Sequence, residues 1–351
     1  MSEDASDAAG ALALDGKFMT LLCRGEREAA SGLSGTGRIT VPACLVTGGA
    51  GFIGSHLVEA LLAQSWQVRV LDNLSTGKLA NLAAVRQRVE VLQGSITDSH
   101  AVDRAVKGCE VVFHLAALPS VARSVEAPLE SHEACATGTV NVLDAARRLG
   151  ARRVVYAASS SAYGDIPGAV RVESEPVSPM SPYAAAKLAG EFYCRCFSTV
   201  YQLETVRLRF FNIFGPRQDA SSPYSGVIAI FTSLMKEGRP PRIDGDGLQS
   251  RDFTYVANAV QAVVKAAQAP AAVGNVYNIG NGGSITVLDL VQHLNEILGS
   301  KLQPTFGPPR AGDVRHSQAD ITLARRDLGY DPQITFPEGL RRTLVWYRSL
   351  K

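Results

Sequence analysis

The sequence predicts an α/β protein in which helices cover both faces of a doubly wound parallel sheet, with a smaller C-terminal domain interwoven with it. Three observations predict this fold class. From Val41 onward, short apolar runs alternate with segments of helical periodicity, which is typical of βαβ units. A glycine-rich turn joins the first apolar run to the first helical segment. After Gly215 the pattern loosens into loops rich in Pro and Gly, which indicates the second domain.

The composition of the 351-residue chain excludes several classes of protein. With 46% hydrophobic and 19% charged residues, the chain is neither disordered nor fibrous. It has no run of roughly 20 apolar residues that would span a membrane. The net charge of +2 is too small for a nucleic-acid-binding surface. Six sparse cysteines indicate free thiols rather than a disulfide framework, and without a secretory signal they predict a cytoplasmic protein.

Strands and helices are expected to alternate along most of the chain. The expected strands are Ala43–Thr47, Gln67–Leu71, Val89–Gln93, Val111–His114, Arg153–Ala157 and Thr205–Arg209. The expected helices are Ser55–Gln64, Val102–Val106, Thr137–Leu149, Pro182–Thr199, Ser225–Glu237, Val256–Ala269, Val287–Leu298 and Pro337–Leu350. Residues 1–40 are small, polar and without sustained apolar periodicity, so we expect a flexible N-terminal arm there.

The glycine-rich turn, Thr47–Gly54, has the features of a dinucleotide-binding site. Gly48, Gly51 and Gly54 permit a tight turn, the approach of backbone N–H groups to a pyrophosphate, and close helix–strand packing. Asp72 directly follows the second expected strand, where a carboxylate binds both ribose hydroxyls of NAD and repels the 2′-phosphate of NADP. We therefore expect NAD to bind a Rossmann-type domain.

A tyrosine and a lysine one helical turn apart are the candidate catalytic pair. Pro182 opens the helix that carries Tyr183 and Lys187 on one face. A tyrosine hydroxyl, with an ordinary pKa near 10, is a poor base at neutral pH. We expect the Lys187 cation and the positive nicotinamide ring to lower that pKa. The run Ser159–Ser161 follows the fifth strand, where one hydroxyl could relay a proton between Tyr183 and a substrate.

These motifs resemble those of the extended short-chain dehydrogenase/reductase superfamily, within its NAD-dependent nucleotide-sugar epimerase/dehydratase branch. The resemblance runs from about Val41 to the C terminus and implies an NAD-binding domain at 41–215, to which residues 252–281 return. It implies a nucleotide-sugar-binding domain at 216–251 and 282–351. Tyr183, Lys187 and Ser159 match the catalytic residues of the family. The helix that carries Tyr183 commonly joins subunits in the family, which implies a homodimer.

The resemblance also implies binding residues. The cofactor-binding candidates are Gly48, Gly51, Phe52, Ile53, Gly54, Asp72, Asn73, Gly77, Ser95, Ile96, Leu115, Ala116, Ala117, Tyr183, Lys187 and Phe210. The substrate-binding candidates are Ser160, Ser161, Asn212, Arg251, Arg315 and Ser317. Ser95 departs from the family pattern, since an aspartate usually holds the adenine amine at that position. No cluster of His, Cys and Asp has metal-ligand spacing, so no metal is expected.

The serine run favours one reaction within the family. Dehydratases and decarboxylases of the family carry an acidic residue where this chain has Ser160 or Ser161, whereas epimerases have serines. The chain is thus most similar to bacterial 4-epimerases of UDP-N-acetylglucosamine (UDP-GlcNAc) and UDP-glucose (UDP-Glc). Ser317 occupies a position where a large aromatic residue excludes N-acetyl sugars and a small one admits them. UDP-GlcNAc and its 4-epimer UDP-GalNAc are the favoured substrates, with UDP-Glc and its 4-epimer UDP-Gal as further ones.

Three alternatives stay open. The first is a UDP-glucuronate 4-epimerase. The second is a nucleotide-sugar dehydratase or decarboxylase that uses an acid we do not recognise. The third is an NAD-binding sensor without activity, from which we would expect Tyr183 or Lys187 to have been lost.

Overall fold

The structure is a computed structural model that describes residues 42–219, 226–309 and 314–349. The expected N-terminal arm lies outside the described residues. Seven parallel strands form the central sheet in the order β12-β7-β5-β4-β1-β2-β3. Its strands are β1 (Ala43–Thr47), β2 (Gln67–Asp72), β3 (Val89–Gln93), β4 (Val111–His114), β5 (Arg153–Ser159), β7 (Glu204–Phe210) and β12 (Val276–Ile279). This sheet confirms the expected fold class.

All six expected strands belong to the central sheet. Each begins at the expected residue except β7, which begins one residue earlier, at Glu204. Three strands continue one or two residues past their expected ends, which brings Asp72, Ser159 and Phe210 into the sheet. The seventh strand, β12, was not predicted because it is only four residues long and lies between glycines.

Helices follow most of these strands. They are α1 (Phe52–Ala63), α2 (Ser99–Val106), α3 (Val121–Glu126), α4 (Pro128–His132), α5 (Gly138–Arg148), α6 (Pro182–Tyr201), α7 (Val227–Lys236), α8 (Val256–Gln268), α9 (Val287–Leu298), α10 (Thr322–Leu328) and α11 (Phe336–Ser349). A single π-helical turn, Glu133–Thr137, joins α4 to α5. Among the described helices, none has the length and apolar character needed to cross a membrane.

The helical predictions placed the starts of α1 and α2 too late and missed three short helices. Helix α1 begins at Phe52 rather than Ser55, directly after Gly51. Helix α2 begins at Ser99 rather than Val102, because Asp98 caps it by accepting hydrogen bonds from the next N–H groups. Helices α3, α4 and α10 were not predicted, since none is longer than seven residues and such lengths carry little periodicity. Ser225 and Leu350, the outer ends of two expected helices, lie outside the described residues.

Short strands outside the central sheet bring distant segments together. They are β6 (Val170–Arg171), β8 (Ile213–Phe214), β9 (Arg242–Asp244), β10 (Ser250–Arg251), β11 (Thr254–Tyr255), β13 (Ile285–Thr286), β14 (Thr305–Gly307) and β15 (His316–Ala319). Four of them form a mixed sheet in the order β13-β10-β15-β6. The division of the chain into two domains stays a prediction.

The strand order fixes where a ligand can bind. Strand β1 lies between β4 and β2, so the chain leaves β1 in one direction for β2 and β3 and later returns on its other side for β4 and β5. Open parallel sheets bind ligands at the carboxyl ends of their strands where the strand order reverses in this way. The loops that follow β1, β2, β4 and β5 therefore meet at one edge.

Candidate active site

The glycine-rich turn after β1 brings the backbone closer to its neighbours than side chains would allow. Gly48 has φ +71°, and a Cβ there would lie 2.9 Å from the backbone of Ala116. A Cβ on Gly54 would lie 2.1 Å from the carbonyl oxygen of Gly48. Helix α1 begins directly after Gly51, so its unpaired N–H groups and the positive end of its dipole lie at the turn. This arrangement fits a bound pyrophosphate.

Asp72 lies at the carboxyl end of β2 and holds this turn in place. Its carboxylate accepts hydrogen bonds from the backbone N–H groups of Ala50 (2.9 Å) and Leu74 (2.8 Å). Gly77 packs directly against it, since a Cβ on Gly77 would lie 2.8 Å from both carboxylate oxygens. Each carboxylate oxygen has a second lone pair, which leaves acceptor capacity for a ribose hydroxyl. Asn73, which follows, is exposed and bonds within its own turn to Ser75.

The other cofactor-binding candidates lie around the same edge. Ile96 is buried and contacts α5 at Gly138, where a Cβ would lie 2.6 Å from its side chain. The hydroxyl of Ser95 pairs with that of Thr97 (2.8 Å). Phe210 lies beside Ser159, its partner in the β5–β7 register. The half-buried candidates, as expected of the walls of a crevice, are Gly48, Gly51, Phe52, Ile53, Ser95, Leu115, Ala116, Ala117, Tyr183 and Phe210.

His114 joins β4 to the turn and to α5 through hydrogen bonds on both of its ring nitrogens. Its Nδ1 lies 2.8 Å from the Thr47 hydroxyl, and its Nε2 lies 3.0 Å from the Thr139 hydroxyl. Because Thr139 donates its own proton to the carbonyl of Cys135, the Nε2–H of His114 is the donor in that contact. Burial, and then the charge of Lys187, lower the pKa of His114 to about 3, so the ring is neutral at physiological pH.

Tyr183 and Ser159 meet at the end of β5. Tyr183 is the second residue of α6, and the Ser159 hydroxyl is close enough to it to favour its ionised form. Burial raises the pKa of Tyr183 above its ordinary value, the nearby Cys135 raises it further, and the Ser159 hydroxyl lowers it. In the protein without cofactor, the pKa of Tyr183 is therefore raised. The lowering expected from Lys187 and the nicotinamide ring therefore stays a prediction for the cofactor complex.

Lys187 lies one turn further along α6 and is buried, with 3% of its surface exposed. Its Nζ donates a hydrogen bond to the carbonyl oxygen of Ala157 (2.8 Å) and lies 4.9 Å from the ring centroid of Tyr156. Burial lowers the pKa of Lys187, and nearby Cys135, Cys194 and Glu191 act in the opposite direction.

The remaining serines follow Ser159 in a short 3₁₀ turn, Ser160–Tyr163. The Ser161 hydroxyl lies 2.8 Å from the Ser159 hydroxyl, so the two are one hydrogen-bonded unit. Ser160 and Ser161 are both half-buried beside Tyr183 and bring no carboxyl group to this position.

Three substrate-binding candidates lie together outside the central sheet. Asn212 follows β7 with φ +31°, a backbone conformation that asparagine tolerates better than most residues. Its amide donates to the carbonyl of Asp252 (3.3 Å), next to Arg251. Arg251 and Ser317 are direct neighbours in the β10–β15 pair. The structure therefore brings Asn212, Arg251 and Ser317 together.

Arg315 is held by a partner that we did not predict. Both of its terminal nitrogens donate to the carboxylate of Asp246, at 2.9 and 2.8 Å. Both side chains are about half exposed (52% and 50%). The guanidinium is thus bound by a carboxylate in the forked geometry that a phosphate would also use. Residues 310–313, which come shortly before Arg315 in the chain, lie outside the described residues.

Sequence reasoning missed two further residues. Asp252 is fully buried and accepts hydrogen bonds from the N–H groups of Asn281, Gly282 and Ala319, which joins three segments of the substrate side. Burial raises the pKa of Asp252 to about 6. Tyr156 lies under Lys187 in the middle of β5 and reads in the sequence as one more core residue of a buried strand. Asp252 could have been found from the sequence, because it is an acidic residue directly after the candidate Arg251. Tyr156 has no comparable signal.

The arrangement is suited to proton transfer at a hydroxyl beside a dinucleotide. A tyrosine hydroxyl, a serine relay and a buried cation lie at the edge where the glycine-rich turn and Asp72 also lie. Within the described ranges, no three His, Cys, Asp or Glu side chains are placed to hold a metal ion.

Comparisons with known proteins agree with this geometry. The model of the NAD dependent epimerase/dehydratase family matches residues 44–280. A protein of Mycolicibacterium smegmatis named UDP-glucose 4-epimerase is 40% identical over 87% of this chain and 98% of its own length.

Two solved structures are similar to the whole described fold. The UDP-glucose 4-epimerase of Thermotoga maritima, crystallised with UDP-glucose, has a TM-score of 0.83 and 38% identity, covering 87% of this chain and 98% of that one. The UDP-N-acetylglucosamine 4-epimerase of Methanobrevibacter ruminantium, in complex with UDP-N-acetylmuramic acid, has a TM-score of 0.85 and 37% identity. That match covers 89% of this chain and 100% of the other.

Proposed function

We propose that this chain, which belongs to the NAD-dependent epimerase/dehydratase family and is an isomerase, is a UDP-sugar 4-epimerase that acts by transient oxidation at carbon 4 of the sugar. The favoured substrates are UDP-GlcNAc and UDP-GalNAc, with UDP-Glc and UDP-Gal as further ones. The observation that carries the proposal is the pairing of Tyr183 with Ser159 above a buried Lys187. Family membership confirms the resemblance found in the sequence.

NAD is the cofactor of the family, and the chain fits it. The turn has no room for a Cβ at Gly48 or Gly54, so its backbone is drawn tightly together. Helix α1 begins directly after it without a side-chain cap, so the first N–H groups of the helix are available to a pyrophosphate. Asp72 would hold the adenosine ribose, and Lys187 would hold the nicotinamide ribose. When bound, NAD supplies the acceptor for the hydride of carbon 4 and afterwards its donor.

The chain's own residues would move the proton. Tyr183 takes the proton of the sugar 4-hydroxyl, and Ser159 bridges the two oxygens. Because burial raises the pKa of Tyr183, the phenolate needs positive charge nearby in order to form at neutral pH. The Lys187 ammonium is one such charge. Tyr183 returns the proton after the 4-keto sugar has turned its other face to the cofactor.

The diphosphate would stay anchored during that rotation. Arg251 and Arg315 are the candidates for this anchor, since planar guanidinium groups bind phosphates in a forked geometry. Arg315 has to exchange its bond with Asp246 for one with the diphosphate. Ser317, the neighbour of Arg251, is small enough to leave room for an N-acetyl group.

A homodimer is part of the proposal. Helices α3 and α4 pack against α6 and leave apolar side chains exposed. Val125 on α3 is 66% exposed, Leu129 on α4 is 83% exposed, and Phe192 on α6 is 52% exposed. Large apolar side chains gathered on neighbouring helices are typical of a subunit interface. Light scattering coupled to gel filtration should give twice the monomer mass of 37.3 kDa.

The test of function is incubation of the purified protein with single UDP-sugars. We expect UDP-GlcNAc to yield UDP-GalNAc of unchanged mass, separated by chromatography, and UDP-Glc to yield UDP-Gal. Conversion of UDP-glucuronate without conversion of UDP-GlcNAc would instead identify a UDP-glucuronate 4-epimerase. Loss of water or of carbon dioxide would identify a dehydratase or a decarboxylase. If no sugar changes, the epimerase proposal is wrong.

A further inference from the structure

A buried aromatic ring lies close to both Lys187 and His114, and the proton path above does not use it. Tyr156, in the middle of β5, is fully buried. Its ring centroid lies 4.9 Å from Lys187 Nζ and 5.6 Å from the centroid of the His114 ring. Its hydroxyl donates to the main-chain carbonyl of Lys187 (3.1 Å). One side chain thus contacts both the backbone and the ammonium group of Lys187.

Lys187 is a buried cation without a carboxylate partner of its own. Among the described residues it forms no ion pair. The acid nearest along its helix, Glu191, is taken up by Arg209, whose guanidinium donates three hydrogen bonds to it at 2.8–3.1 Å. A buried charge requires compensation. The groups that supply it here are the carbonyl of Ala157 and the face of Tyr156, whose quadrupole attracts a cation.

The position of the ring is fixed by a glycine in the middle of α6. A Cβ on Gly190 would lie 2.3 Å from the Tyr156 hydroxyl oxygen and 2.7 Å from the ring carbon that bears it. Glycine is unfavourable inside a helix, so its presence there needs a reason. The close approach of the Tyr156 ring is that reason, and it leaves the ring no room to shift toward the helix.

We propose that Tyr156 is a positioning residue for the reaction, whose ring face holds the Lys187 ammonium and whose hydroxyl fixes the turn of α6 that carries Lys187 and Tyr183. The inference rests on the proposed function only through the role of Lys187. The ring keeps a positive charge in a water-poor site where the phenolate of Tyr183 would need it.

Other groups around Lys187 do not replace the ring. His114, from β4, is neutral and therefore does not balance a positive charge. Cys135 lies in the π-helical turn, and Cys194 and Glu191 lie on α6 itself. These three groups favour the charged lysine, but none of them hydrogen-bonds to its Nζ in the described structure. Removing the ring should therefore make Lys187 easier to deprotonate.

The test measures the titration of Lys187 directly, with or without activity. The full-length protein is labelled with ¹³C at the lysine ε carbon, and the Lys187 signal is identified by its loss in Lys187→Met. Tyr156→Leu removes the ring, whereas Tyr156→Phe keeps the ring and removes the hydroxyl. We expect the Leu variant to move the Lys187 titration to lower pH and the Phe variant to leave it near that of the wild type.

The pH profile of turnover is the second readout. In Tyr156→Leu the high-pH limb of kcat should move to lower pH, and kcat at neutral pH should fall on the order of 10-fold, while KM changes less than about 2-fold. Unshifted Lys187 titration in a folded Leu variant would overturn the proposal. A shift without epimerase activity in the wild type would leave the inference standing and reject the proposed function.

If Tyr156→Leu does not fold, fluorinated phenylalanines at position 156 provide the test. Each added fluorine weakens the negative face of the ring and changes its volume little. We expect the Lys187 titration to move stepwise to lower pH with the number of fluorines, with Tyr156→Phe as the reference. A flat series would show that the ring only fills space.

Discussion

The cofactor side and the substrate side of the site are built differently. On the cofactor side, Asp72, His114 and Lys187 are 7%, 1% and 3% exposed, and each is fixed by hydrogen bonds to neighbouring backbone or side chains. On the substrate side, Asn212 is exposed and the Arg315 side chain is 52% exposed. The difference matches the proposed reaction, since hydride transfer needs fixed distances whereas the sugar has to turn over between two transfers.

This comparison predicts that substitutions on the cofactor side strongly lower turnover. Substitutions on the substrate side should instead change KM or the preference between UDP-sugars. The largest effect should come from Tyr183→Phe, which removes the group that takes the proton. Turnover should fall by about 10²- to 10⁴-fold, the usual range for one acid–base group. NAD binding should persist, because the turn and Asp72 are untouched. Steady-state kinetics and the NAD content of the purified variant measure the two effects.

Tyr193→Phe is the matched control for this substitution. Tyr193 lies on the same helix, is 44% exposed, and should tolerate loss of its hydroxyl without effect on kcat. A Tyr183→Phe enzyme with wild-type turnover would remove the acid–base role from this residue.

Gly54→Ala should weaken NAD binding and stability together. The new Cβ would lie 2.1 Å from the Gly48 carbonyl oxygen, and that contact is between two backbone segments that have to move apart. Overpacking of this kind costs about 1–3 kcal/mol of unfolding free energy. Because the distortion lies in the glycine-rich turn, where NAD would bind, NAD affinity should fall about 10-fold or more. Titration of the NAD-free protein with NAD measures this loss. Gly283→Ala is the control, because nothing lies within 4 Å of a Cβ there.

The two sides also differ in how far the sequence predicts them. The cofactor side comes from local motifs, because Gly48, Gly54 and Asp72 are brought together by one βαβ unit and Tyr183 and Lys187 by one helical turn. In the structure these residues lie at the carboxyl-terminal edge of the sheet. Tyr156 was missed because a tyrosine in a buried strand has no pattern that separates it from other core residues.

The substrate side depends on pairings that leave no local signal. Strand β10 is two residues long, and it meets β15 across 66 positions of chain to bring Arg251 beside Ser317. The resemblance to a family supplied these two residues, and the fold places them together. The bond from Arg315 to Asp246 is not contained in any motif, because it joins residues 69 positions apart in a conformation that depends on both loops.

Ser317→Tyr tests whether the size of residue 317 decides which sugars can bind. The larger side chain should exclude the N-acetyl group and lower turnover of UDP-GlcNAc on the order of 10-fold or more, while turnover of UDP-Glc persists. Comparison of kcat/KM for the two sugars measures the switch. Ser317→Ala keeps the position small and should leave the ratio unchanged. Equal losses on both sugars would mean that Ser317 does not select between them.

The smallest effect is expected from Asp246→Asn. Without substrate, the Asp246 carboxylate accepts two hydrogen bonds from the Arg315 guanidinium. These bonds hold the pKa of Asp246 below its ordinary value. The carboxylate thus stays charged at neutral pH and competes with a diphosphate for Arg315. Exposed ion pairs are weak, so removing the charge should lower KM for UDP-sugars by only about 2- to 5-fold and leave kcat unchanged. The gain should shrink as salt is added.

Asp244→Asn is the matched control, since Asp244 is a similarly exposed acid two residues away whose partner, at 3.7 Å, is Arg242 rather than Arg315. It should leave KM unchanged. A rise in KM in Asp246→Asn would reverse the interpretation, because it would mean that Asp246 orients Arg315 toward the diphosphate instead of competing for it. In that case the substrate side would share the fixed geometry of the cofactor side, and the contrast between the two would be confined to Asn212 and Ser317.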